Sequence, residues 1–198
     1  MLEALEDGDP DVAPPVGVIA DDAGDTGRAP VLVPVQSGDA GAQRALDGRQ
    51  VTLFALSLPV KSDRQRRAAM AFALEEELGS SLDDTHVALC RVLPDGRLLV
   101  AAVASAVMQA AVAEGAGRPI LPEPLLLAIP EGAAWRVRGL GDRIVARRPD
   151  GTGLTAAPDL FTLVWQRSGR PPLLHAGDPL PEALAGAAQP DPDADAPP

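Results

Sequence analysis

Asp83, Asp84 and His86 form the one local cluster in this sequence that sets two carboxylates close to an imidazole. Such a group could carry general acid–base chemistry or supply part of a metal shell. Little around it supports either. His86 and His175 are the only histidines and Cys90 is the only cysteine, so no paired His or Cys ligand motif occurs. The expected reading is a loop turning into a strand, with Asp83 or Asp84 making the turn's hydrogen bonds. Nucleophiles are no better placed. Ser57, Ser62, Ser80, Ser81, Ser105 and Ser168 lie in no G-x-S-x-G setting. Cys90 stands in an alternating strand between apolar neighbours and reads as a buried, inert thiol. A single cysteine also rules out an intramolecular disulfide, which fits a reducing compartment.

Phosphate chemistry needs a glycine-rich cradle of backbone amides. There is no G-x-x-x-x-G-K-[ST], so a P-loop is excluded. The run 19–27, IADDAGDTG, follows an apolar segment and is faintly similar to the first phosphate loop of actin-like ATPases. No second D-x-G-x-[ST] follows it, and a solvated acidic loop is the expected state.

The elements that would position these groups are legible in places. Residues 16–20 and 31–35 are short apolar runs, and 37–50 reads as a loop with a short helix near 42–46. Residues 51–58, VTLFALSL, predict a strand stopped by Pro59. Ser62 with Gln65 has the pattern of a capping box, opening a helix over 63–78 that Gly79 ends. Met70, Leu74 and Leu78, with Ala71, make its buried stripe. Strands at 86–93 and 98–103 flank Pro94-Asp95-Gly96, and strands at 136–140 and 142–148 flank Gly141. A helix is expected over 105–114, a proline-broken apolar connector over 118–130, and a last short helix over 159–166. The stretch 98–113 holds no charge over 16 residues, but a spanning helix needs about 20 predominantly apolar residues. Strand followed by buried helix is the expected form.

The helix over 63–78 has one odd property. Arg64, Arg66 and Arg67 occupy its first turns, and Glu75, Glu76 and Glu77 its last. That is the reverse of what the helix dipole favours, at a few tenths of a kcal/mol per exposed charge. These six residues are therefore candidates for a charged docking surface.

Charge elsewhere is segregated. Residues 1–25 hold eight acids and no base, and 176–198 hold five acids and no base. The span 26–175 keeps 15 acids and all 17 bases, so the net charge of −11 belongs to the ends. A near-neutral body gives no electrostatic footprint for nucleic acid. The acidic N-terminus does not have the basic-then-apolar form of a secretory signal.

The residues that resemble a known family run from 58 to 89. They are Leu58-Pro59, the arginine-rich helix start, Ala73-Leu74-Glu75-Glu76-Glu77-Leu78, and Asp83-Asp84-x-His86-x-Ala88-Leu89. Together with the strand and helix over 98–108, the Leu121-Pro122-Glu123-Pro124-Leu125-Leu126-Leu127 segment and the hairpin strand 142–147, they resemble the cytoplasmic domain of type II secretion system protein L, over about 50–166. The resemblance implies an α/β, actin-like (ribonuclease H-like) fold of mixed sheets with flanking helices, truncated or degenerate and without nucleotide hydrolysis or cofactor. It implies a non-catalytic scaffold on the cytoplasmic side of the bacterial inner membrane. Its partners would be the cytoplasmic secretion ATPase, other inner-membrane platform subunits and a second copy of itself. The family's single membrane span and periplasmic ferredoxin-like domain are not read in this sequence. The expected organisation is a disordered acidic tail over 1–15, the scaffold domain over 16–168, and a Pro/Ala/Asp-rich tail or linker over 169–198. Two other functions stand beside this one: a nucleotide-binding actin-like pilus-assembly protein, and a small hydrolase or transferase acting through Asp83, Asp84 and His86.

Overall fold

A computed structural model describes residues 16–18, 32–34, 43–58, 63–78, 82–115 and 117–194. In chain order the first half forms β1 (Val16–Val18), β2 (Leu32–Pro34), β3 (Arg44–Leu46), β4 (Val51–Leu56), α1 (Asp63–Leu78), β5 (Thr85–Val92), β6 (Leu98–Ala104) and α2 (Ser105–Gly115). Then come β7 (Ile120–Pro122), β8 (Trp135–Leu140), β9 (Arg143–Arg147), β10 (Gly153–Ala156), α3 (Pro158–Arg167), β11 (Leu173–Gly177), α4 (Glu182–Ala185) and β12 (Ala188–Pro190). The strands make three sheets, ordered β4-β6-β5, β10-β9-β8-β11-β12 and β2-β1-β7-β3.

β6 explains the first part of the uncharged stretch, while the helix expected to be buried, α2, buries Met108 and Ala111 and leaves Ala106, Gln109, Ala110 and Ala113 exposed. β6 is the central strand of the three-stranded sheet, antiparallel to both neighbours, and it is buried from Leu98 to Val103. A strand covered on both faces has no position left for a polar residue. On one face Leu98 and Val100 meet Met70 and Leu74 of α1. On the other, Leu99 and Ala101 pack with Leu53, Cys90, Leu93 and Leu125. Val103 joins Met108 and Ala111 of α2 and Ile120 of β7. The predicted stripe on α1 is therefore core: Leu74 is fully buried, Met70 nearly so, and Leu78 packs at the margin. Among the described residues no helix is long and apolar enough to cross a membrane.

The five-stranded sheet rests on aromatic packing. Both tryptophans and one of three phenylalanines meet in its core, with Phe161 and Trp165 of α3 against Trp135, Val137, Ile144 and Ala146. The Trp135 and Phe161 rings stand edge to face, 6.2 Å apart at 79°, a favoured aromatic geometry. The Trp165 indole N–H donates to the Pro171 carbonyl at 2.8 Å, so its polar end is satisfied. Gly141 supplies the positive φ of 60° that the β8–β9 turn requires.

Three expectations need correction. The stretch 169–198 is not a linker through most of its length. β11 inserts parallel to β8, β12 adds parallel to β11, and Leu173 and Leu184 are fully buried. The Pro and Asp content that suggested a tail instead serves short connections and a buried ion pair described below. The short helix near 42–46 is β3, because Arg44–Leu46 pairs with Ile120–Pro122. The connector over 118–130 contains β7, which joins β1 to β3 within the four-stranded sheet. The strands of the two predicted hairpins and the helices at 63–78, 105–114 and 159–166 are present within a residue or two. Residues 1–15, the acidic loop at 19–27, Ser62 and Gly79 lie outside the described residues.

Candidate docking surface

α1 turns Met70 and Leu74 to the three-stranded sheet and exposes described side chains toward its C-terminal end. Phe72 is 65% exposed, and Glu75 and Glu77 are exposed beside it. Phe72 and Glu75 are neighbours at i, i+3 on the helix surface. The helix backbone carries Arg64, Arg66, Arg67 and Glu76, but their side chains lie outside the described residues. An exposed aromatic beside carboxylates at the C-terminal end of a helix favours contact with an apolar pocket rimmed by basic groups.

The groups that could react are poorly placed for catalysis. Asp83 and Asp84 are exposed in a 3-10 turn, Leu82–Asp84, ahead of β5. His86 points the other way. Its Nε2 is buried without a hydrogen-bond partner, and the ring lines a cavity of about 10 Å³ with Leu46, Val51, Met108 and Ile120. Burial holds its pKa below the ordinary histidine value. Cys90 is buried, and burial pushes its thiol up to about 12, so it remains protonated and unreactive at neutral pH. Among the described residues no three His, Cys, Asp or Glu side chains gather as a metal shell would need.

The structure also contains charged ties that sequence reading missed. Glu123 is 7% exposed in a 3-10 turn, Glu123–Leu126, following β7. Its carboxylate accepts from Arg143 Nη2 at 2.7 Å and Nε at 3.1 Å, and from the Gly48 amide at 3.1 Å. Gly48 is required for this approach, since a Cβ there would collide with the Thr155 side chain and lie 2.9 Å from Pro124. Nearby, Arg49 bridges Asp47 and Asp142 at 2.7 and 2.9 Å. Hydrogen bonds from Arg49 hold both carboxylates below the usual aspartate range. A second tie is deeper. Arg136 Nε lies 2.8 Å from Asp191 Oδ2, with the two side chains 6% and 1% exposed, and Arg136 Nη2 reaches Asp193 at 3.2 Å. The Nε contact is an ion pair by distance but off-line for a hydrogen bond. One signal for the first tie was visible: a lone acid, Glu123, between prolines inside an apolar run has to find a cation if it is buried.

Comparison with known proteins agrees with this architecture. The family model for type II secretion system (T2SS), protein L, matches residues 44–192. Type II secretion system protein L of Pseudomonas aeruginosa is 36% identical over 97 residues, covering 48% of this chain and 25% of that protein. The chain thus spans about a quarter of that relative's length. Among solved structures, the cytoplasmic domain of EpsL, an inner membrane component of the type II secretion system of Vibrio cholerae, superposes with a TM-score of 0.57 at 19% identity. That superposition covers 78% of this chain and 68% of the EpsL domain, and the two share a fold. A Bacteroides thetaiotaomicron protein of actin-like ATPase fold and unknown function matches with a TM-score of 0.42 at 11% identity, covering 73% of this chain and 63% of that one. With a family match running from β3 through β12 and the mixed-sheet fold of the EpsL domain, the chain belongs to the type II secretion system protein L family.

Proposed function

We propose that this chain is a non-catalytic scaffold on the cytoplasmic side of a type II secretion system's inner-membrane platform, and that it holds the secretion ATPase there. The observation that carries the reading is the family match over residues 44–192. The buried thiol of Cys90 and the inward His86 favour a binding role over chemistry. α1 is the proposed docking element, with Arg64, Arg66 and Arg67 in its first turns and Glu75, Glu76 and Glu77 in its last. Phe72 would be its apolar anchor. Other platform subunits and a second copy of the chain are further partners of such a scaffold.

Calorimetric titration with the N-terminal domain of the cognate secretion ATPase tests this. The wild-type chain should bind. Reversal of Glu75, Glu76 and Glu77 to Lys should weaken binding by about tenfold, roughly 1.4 kcal/mol. Thermal stability should hold or rise slightly, since lysines suit a helix C-terminus. Absence of wild-type binding would sink the scaffold reading. Wild-type affinity retained by the triple variant would sink only the choice of surface.

A further inference from the structure

One face of the five-stranded sheet carries four arginines. In the β8–β9 register Arg136 lies opposite Arg147, Arg138 opposite Val145 and Leu140 opposite Arg143, which puts all four cations on the side away from α3. Three of them have partners. Arg136 meets Asp191 and Asp193, Arg138 donates to the Ala194 carbonyl at 2.8 Å, and Arg143 meets Glu123 and Asp142. Arg147 does not. It is 2% exposed, and its Nε and Nη1 are buried without a hydrogen-bond partner.

Its surroundings deepen the imbalance. Arg91 on β5 lies within electrostatic reach and adds a second positive charge. Cys90 is close too, but burial pushes that thiol to about 12, so it supplies no negative charge. Asp150 is the one acid that acts on Arg147, and its Oδ1 already accepts from the Thr152 amide at 2.9 Å and hydroxyl at 2.6 Å. The next residue, Arg148, stacks its guanidinium 4.6 Å from the centre of the Trp135 ring, on the opposite face of the sheet. Burial and Arg91 lower Arg147 only to about 10, so it stays charged at neutral pH. A charged guanidinium removed from water without a partner is a costly arrangement unless something else completes it.

We propose that Arg147, assisted by Arg91, is a binding site for a small free oxyanion of the phosphate class. Two neighbouring cations suit a doubly charged tetrahedral ion, and guanidinium groups match its oxygens two at a time. The near-complete burial of Arg147 selects a compact free ion over a headgroup fixed in a bilayer.

Thermal unfolding of the full chain in inorganic phosphate, against chloride at matched ionic strength, tests the site. Wild type should gain about 3–5 °C when phosphate stands roughly tenfold above its dissociation constant. Arg147→Met should lose that gain and, with the buried charge removed, melt no lower than wild type in chloride. Arg91→Gln, at a half-buried position, keeps the fold and should reduce the gain while leaving Arg147 in place. An equal phosphate gain in wild type and Arg147→Met, or an equal gain from chloride, overturns the proposal. So does a wild-type chain that binds phosphatidic acid vesicles through Arg147 while ignoring free phosphate.

Discussion

The sheet β4-β6-β5 and the sheet β10-β9-β8-β11-β12 bury themselves by different means. The first is wholly antiparallel, and its central strand is covered on both faces by aliphatic side chains. The second joins an antiparallel meander to two parallel strands, packs aromatics on one face and sets arginines on the other. A strand enclosed by hydrocarbon leaves no place for charge. A sheet with one charged inner face must bring counter-ions from distant parts of the chain. The difference teaches that these two halves of the molecule should fail in different ways.

The largest expected effect is in the aromatic core. Phe161→Ala should cost about 3–5 kcal/mol, since it empties a fully buried ring site and removes the edge-to-face contact with Trp135. Leu74→Ala, equally buried beneath the three-stranded sheet, should cost about 2–5 kcal/mol. Urea titration of both variants checks the ranking, and a larger loss for Leu74→Ala would break the comparison.

Next comes the charged face. Asp191→Ala leaves Arg136 buried without its main counter-charge and should cost about 3 kcal/mol. Adding Arg136→Met should recover most of that loss, because a hydrophobic replacement of both partners removes the stranded charge. If the double variant is as unstable as the single one, the role of residues 188–194 is packing and not charge.

The smallest effect concerns His86, the polar group that faces the aliphatic side of the molecule. Its folded pKa is depressed by burial. Above the unfolded value of about 6.5 both states are neutral and nothing is lost. As pH falls below that value the unfolded chain takes up a proton that the folded chain resists, so stability declines toward acid. Melting at pH 7.5 and 5.5 should show a smaller acid loss for His86→Leu than for wild type. Identical losses would mean that His86 is not the group responsible.

Legibility followed the same division. The β5–β6 and β8–β9 hairpins were readable because turn and strands are neighbours in the chain, with Gly96 and Gly141 marking the turns. The α1 stripe was readable because Met70, Leu74 and Leu78 repeat at helical spacing. β7 and β3 were not: each is three residues long and forms its parallel ladder across more than 70 positions. β11 and β12 were hidden by the composition around them, which looks like a linker until Leu173 meets the aromatic cluster. At the proposed docking surface the charge pattern of α1 was visible, while the exposure of Phe72 required knowing which side of the helix the sheet covers.

By itself the sequence determined the local elements, the candidate charges on α1 and the resemblance to the protein L family. These depend on neighbouring residues and their spacing. Only the tertiary structure decided that the acidic C-terminal stretch completes a sheet, that Asp191 neutralises Arg136, and that Arg147 buries its Nε and Nη1 without a hydrogen-bond partner among the described residues. The reason is physical: whether a buried charge is satisfied depends on which distant strand is laid beside it, and no local pattern in the chain encodes that neighbour.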